Sequence, residues 1–167
     1  DNAGVTVDSR VKVALPDGTT KTYTLSDKSS VKLSAIVDGT VYAYSLANNG
    51  TEIKLTDAKT TVSGGSATFE KGKSTISFSG KTEYATNSTV FYYVNAAGDV
   101  TVYTGRDNAP SITSSTSTVV YKNNAGTVVS VVFKGVVGKT SVGDHMLVYS
   151  VGSVSSDYTL ANVILNG

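Results

Sequence analysis

The residues best placed by type for catalysis are Asp144 and His145, adjacent in the chain, with Ser150 five positions on. A carboxylate, an imidazole and a hydroxyl can together activate a nucleophile, the imidazole taking the proton and the carboxylate orienting it. His145 is the only histidine, so any such triad must use it, and a His-rich metal site is ruled out. The nearest approach to a nucleophile elbow, Val148-Tyr149-Ser150-Val151-Gly152, lacks its first glycine. His145 stands before the apolar run 146–149, where a turn residue is expected.

Paired carboxylates are the other route to catalysis, as in glycoside hydrolysis, where two sit ~5–9 Å apart. Of the 13 acidic residues, Asp17, Asp38, Asp99 and Asp107 fall in turn-like stretches, and Glu52, Glu70 and Glu83 on polar strand positions. Aspartate in a turn is accounted for by hydrogen bonding to its own backbone. No spacing singles out a pair, and no D-x-D-x-D calcium pattern occurs. Ser63-Gly64-Gly65-Ser66 precedes no helix, so a phosphate cradle is not expected. We therefore expect no catalytic residue, no cofactor and no metal; a site assembled from distant loops around Asp99, Asp107 or Asp144 is the enzymatic alternative.

Binding chemistry has better material. The chain carries ten tyrosines and no tryptophan. A phenol offers a flat apolar ring with a polar rim, suited to stacking on sugars or to interfaces. Tyr42, Tyr44, Tyr93 and Tyr121 sit where cross-strand packing would account for them. Tyr92 and Tyr103, with the loop acids Asp99 and Asp107, form the candidate ligand-binding set.

The elements that must hold these residues are strands. Tyr93-Val94-Asn95-Ala96-Ala97-Gly98-Asp99-Val100 recurs 28 positions later as Tyr121-Lys122-Asn123-Asn124-Ala125-Gly126-Thr127-Val128. Each copy is an apolar, β-branched run on both sides of a small polar loop ending in glycine, the spelling of a hairpin. A looser third copy spans 44–55. Further hairpins are expected at 11–15 with 20–25 and 66–69 with 74–78, and closing strands at 146–151 and 158–165. Residues 31–37 read as a strand or one helical turn. No window keeps a 3.6-residue period for three turns. The fold class is all-β: short-stranded antiparallel hairpins forming small barrel- or sandwich-like units. In 90–94, Phe91 and Tyr93 share one face and Val90, Tyr92 and Val94 the other, which places that strand between two packed layers or inside a small barrel.

Two polar breaks, 57–65 and 107–117, interrupt the strands. The first is the expected border of a small β unit, 1–58, with a second unit, 59–160, built on the two similar hairpins. Residues 161–167 read as a strand leading into a following module. They echo 11–18, as one member of a tandem array would.

Charged residues make up 16% of the 167 and balance to +1, and the 14 Lys and Arg are scattered. That leaves no electrostatic footprint for nucleic acid or anionic lipid. Val, Ser and Thr fill roughly 40% of the chain, the composition of strands with a hydrated, weakly charged face. Cysteine is absent, which excludes a disulfide framework and thiol chemistry. No apolar run approaches the ~18 residues that span a bilayer, so no membrane insertion is expected. The start, Asp1-Asn2-Ala3-Gly4, carries neither an initiator Met nor a signal peptide, as expected of a processed protein or of a segment of a longer one.

Three stretches, VKVALPDGTTKTYTL (11–25), VFYYVNAAGDVTVYTGRDNAPSI (90–112) and TVVYKNNAGTVVSVVFKG (118–135), resemble repeat regions of large bacterial cell-surface proteins. In those proteins S-layer homology domains anchor the polypeptide to the cell wall and β-rich repeats project from it. The helical anchoring repeat is not in this sequence. The resemblance implies an exported, extracellular module with a structural, spacer or adhesion role at the cell surface or cell wall. Its implied partners are neighbouring modules of the same polypeptide, and cell-wall or host glycans in the alternative role of a carbohydrate- or peptide-binding module. It transfers no catalytic residue.

Overall fold

The computed structural model describes residues 9–57 and 60–138. The expected strands at 146–151 and 158–165, the 161–167 segment, Asp144 and His145 lie outside the described residues.

Among the described residues fourteen strands follow one another with two single 3-10 turns, at Leu33–Ala35 and Asn48–Gly50. In chain order they are β1 (Arg10–Ala14), β2 (Thr20–Leu25), β3 (Tyr42–Ala47) and β4 (Glu52–Asp57), then β5 (Thr60–Gly64), β6 (Ala67–Phe69) and β7 (Thr75–Phe78). The rest are β8 (Lys81–Tyr84), β9 (Val90–Val94), β10 (Val100–Thr104), β11 (Ile112–Ser114), β12 (Ser117–Lys122), β13 (Val128–Lys134) and β14 (Val137–Gly138). The protein is all-β. Three open sheets form, ordered β1-β2-β4-β3, β10-β9-β13-β12-β5 and β14-β11-β6-β7-β8, and none closes into a barrel.

The hairpins are antiparallel as expected, but two of the sheets they build are mixed. β2 pairs with β4 in parallel, and so does β9 with β13. The two repeated hairpins lie side by side in the second sheet with β9 and β13 innermost. Each copy contributes a different strand to that centre, the first strand of one and the second strand of the other, so the seam between them runs parallel.

The repeated loop sequence has a repeated structure. Asn95 Oδ1 accepts from the backbone N–H of Ala97 and Asp99, both at 2.9 Å, while Asn95 N–H donates to Asp99 O at 3.0 Å. Asn123 does the same to Ala125 and Thr127, at 3.0 Å each. Gly98 and Gly126 close the two turns at φ of 91° and 79°, a conformation that favours glycine. Leu15–Thr19 shares the backbone pattern, with Gly18 at φ 82° and Asp17 bonding Thr19 N–H. The expected third copy at 44–55 does form a hairpin, but turns through Asn48 and Asn49 in the left-handed region instead. The third true instance of the turn is therefore the one at Pro16-Asp17-Gly18.

Strand alternation sets how the sheets stack. One face of the second sheet carries Phe91, Tyr93, Val120, Val131 and Phe133, packed on Ala67, Phe69, Ile76, Phe78 and Ile112 of the third. Rings interlock there: Phe69 and Phe91 lie 4.9 Å apart, and Tyr93 meets Phe133 edge-on at 5.4 Å. The opposite face presents Val90, Tyr92, Val132 and Tyr121 to the first sheet. The second sheet is thus the central layer of three, and the two apolar faces of β9 follow from that position. A separate apolar cluster, Val11, Tyr23, Leu25, Val31, Ile53 and Leu55, holds the first sheet together. Ser29 Oγ, buried, ties its covering loop to β4, donating toward Leu55 O at 3.1 Å and accepting from Leu55 N–H at 3.0 Å.

Three short strands lie in stretches read as breaks or left unassigned. β5 falls in the 57–65 break and pairs with β12, β11 falls in the 107–117 loop, and β8 follows the tight turn at Ser79-Gly80. Gly64 is fixed by close approach: a Cβ there would lie 2.6 Å from the Phe78 ring.

Candidate functional site

A cleft of about 660 Å³ opens where the first sheet lies over the second. This size is in the range of small-ligand sites. Its walls come from both sheets. β1 contributes Val11 and Val13, β3 contributes Tyr42 and Tyr44, and the second sheet contributes Tyr92, Tyr121 and Val132. Hydrogen bonds bridge the sheets: the Val41 N–H donates to the Tyr121 hydroxyl at 3.2 Å, and Thr104 Oγ1 donates to Pro16 O at 2.7 Å. The Tyr42 hydroxyl accepts from Val37 N–H at 3.0 Å, holding the covering loop against β3. Burial pushes the Tyr92 phenol up to about 12, with the Tyr44 phenol adding to the effect. Tyr92 is therefore protonated at all physiological pH and offers a neutral rim.

The four candidate ligand residues do not converge. Tyr92 sits in this cleft, half-buried. Tyr103 pairs with Phe91 across β9–β10, which puts it on the opposite face of the same sheet, against the Tyr93 ring at 5.1 Å. Asp99 is engaged in the hairpin turn, accepting from Asn95 Nδ2 at 2.8 Å. Asp107 is exposed beside Arg106, at 3.8 Å from its Nε. Two tyrosines on opposite faces of a sheet cannot form one stacking platform.

Other residues took the positions that sequence reasoning left open. Tyr121 is buried, but its hydroxyl carries a contact between sheets that no spacing announces. Tyr44, expected to be packed, is 46% exposed at the rim of the cleft. Glu83 and Lys122 form an ion pair at 2.6 Å that pins the third sheet to the second, both largely shielded from water. Their separation of 39 residues carries no local signal. Tyr93, on the sealed side, is also held well above the usual phenol range, chiefly by burial, and its hydroxyl donates to Pro110 O. Asp17 is held below the usual carboxylate range by its hydrogen bonds from Thr19.

Among the described residues no three His, Cys, Asp or Glu side chains group as metal ligands, and no helix is long and apolar enough to cross a membrane. No protein-family model, curated protein or solved structure matches the chain.

Proposed function

We propose that this chain is a non-catalytic structural or spacer module of an exported bacterial surface protein, of the kind that also carries S-layer homology domains, working at the cell surface or cell wall beside neighbouring modules of the same polypeptide. The observation that supports it is the fate of the candidate side chains. Tyr103, Asp99 and Glu83, which by type could recognise or transform a ligand, are spent on ring packing, a turn and an ion pair between layers. A module of this kind acts by keeping its shape while hydrated at low charge. The two interlocking mechanisms for that are a dry aromatic core and Ser/Thr-rich outer positions.

The cleft supports a second reading, a carbohydrate- or peptide-binding module, because Tyr44 and Tyr92 both reach it and could sandwich a sugar ring or an apolar side chain. Co-sedimentation of the purified chain with cell-wall sacculi, native and stripped of secondary polysaccharide, separates the two. The spacer reading expects no saturable binding to either. Saturable binding that is lost on stripping, and again in Tyr92→Ala, would replace it with glycan recognition in the cleft.

A further inference from the structure

Among the described residues six strand edges terminate the three sheets, and four are protected by one of the devices that keep sheets from pairing with other chains. β1 carries Arg10 and Lys12, and β8 carries the exposed Lys81. β10 is half-buried along most of its length, with Thr104 bonded to Pro16 of the first sheet. The β5 edge receives Lys81 Nζ on Ser63 O at 3.4 Å. β14, Val137–Gly138, ends at the last of the described residues.

β3 has none of these. Its sequence, Tyr-Ala-Tyr-Ser-Leu-Ala, holds no charge and no proline, and Ala43, Tyr44, Ser45 and Leu46 are all exposed. It pairs only with β4, so half of its peptide groups face away from any strand of the described residues. Tyr44 is 46% and Leu46 49% exposed, and Val37 in the covering loop is 62% exposed. An open row of backbone donors and acceptors specifies one partner geometry, an extended strand.

We propose that β3 is a self-association edge, pairing antiparallel with β3 of a second copy of this chain to join two first sheets into one of eight strands. Two-fold symmetry brings the same segment to both sides of the contact. That arrangement is disfavoured when an edge is charged, because like charges then meet; this edge is neutral, so it complements itself. Side-chain parity fixes the register. Tyr42, Tyr44 and Leu46 share the apolar face with Ile53 and Leu55. The face stays continuous when Tyr44 lies opposite Tyr44 of the second copy, with Tyr42 and Leu46 opposite one another on either side. A slip of one residue would set tyrosines against the hydrated face. The inference rests on the edge geometry alone and stands whether or not the chain belongs to a surface protein.

The test is sedimentation velocity of the full chain over a wide concentration range, beside Ala43→Lys/Ser45→Lys. Both substituted positions are exposed, and circular dichroism melts check that the variant folds. The expected result is a monomer–dimer equilibrium whose dissociation constant rises at least roughly tenfold in the variant. A second measurement reads the register. The chain has no cysteine, so oxidised Tyr44→Cys should yield a covalent dimer, and Thr82→Cys, on the charged β8 edge, should not. A monomer at every concentration overturns the proposal. So does association that persists unchanged in the lysine variant, or crosslinking that is no stronger at position 44 than at 82.

Discussion

The second sheet meets its two neighbours by different means. Against the third sheet it presents Phe91, Val131 and Phe133, none with any exposed surface, and an ion pair closes the margin. Against the first sheet it presents Tyr92, Val132 and Tyr121, leaves a cleft, and is bridged by hydrogen bonds, one accepted by the Tyr121 hydroxyl and one donated by Thr104. One contact is a sealed core and the other a seam. The same strand, β9, serves both, and what differs is the side chain that alternation delivers to each side. Phenylalanine fills space without needing a partner, whereas tyrosine keeps a hydroxyl that must be satisfied or left near water.

The sharpest way to break the comparison is Phe91→Ala. Emptying the sealed core should cost about 3–5 kcal/mol in urea unfolding and remove cooperativity from the second and third sheets together. If the loss were instead the size expected for a seam residue, the two contacts would not differ in kind. Next is Glu83→Gln, which leaves the Lys122 ammonium short of its partner; we expect a loss of about 1–3 kcal/mol, recovered in part when Lys122 is changed to Met as well. On the seam, Tyr121→Phe removes only the hydroxyl that accepts from Val41, for about 0.5–1.5 kcal/mol. Its signature is local: faster amide exchange at Val41 and the loop before β3, with β9 and β13 unchanged.

The last effect is in pH, and it is silent at neutrality. The folded Tyr92 phenol titrates at about 12 against an ordinary value of 10. The folded state therefore holds its proton longer than the unfolded chain. That contribution is fully present below pH 10 and is lost as pH rises from 10 through 12. Tyr92→Phe should flatten the decline over that interval in denaturant titrations. An unchanged slope would place Tyr92 in open water and make the seam wetter than described.

How much of this could be read from residues alone divides along the same line. The all-β class was legible, because β-branched runs punctuated by Asn-Gly turns leave no other period. The two apolar faces of β9, with Val90, Tyr92 and Val94 on the second, were legible too, but they fit a strand between layers and one inside a small barrel equally, and only the open sheets decide for the former. The asparagine-anchored turns were legible as a repeat, but their third member was misplaced to 44–55, where composition matched and backbone geometry did not. β5, β8 and β11 escaped because a short strand needs only one or two inward apolar residues, and Thr-rich neighbours hide them. The parallel seams escaped for a different reason: pairing partners are a tertiary choice. The candidate set divides on that point. Whether Tyr92 and Tyr103 share a face depends on the register of β9 against β10, and only the pairing of Tyr103 with Phe91 reveals that they do not.

The parallel seam between β9 and β13 also sets the order in which the molecule can assemble. Each repeated hairpin closes through a three-residue loop, an event of microseconds. The seam joins residues roughly forty positions apart, Val90 with Ser130 and Phe91 with Val131, and the loop entropy must be met before any of that pairing is rewarded. On that ground the two hairpins are expected to form early and independently, with their docking the slow step on which the aromatic core waits. A nascent chain emerging from its N-terminus holds β9 exposed on one edge until β13 has been made. The uncharged run Val-Phe-Tyr-Tyr-Val is, during that interval, the segment most in need of a chaperone.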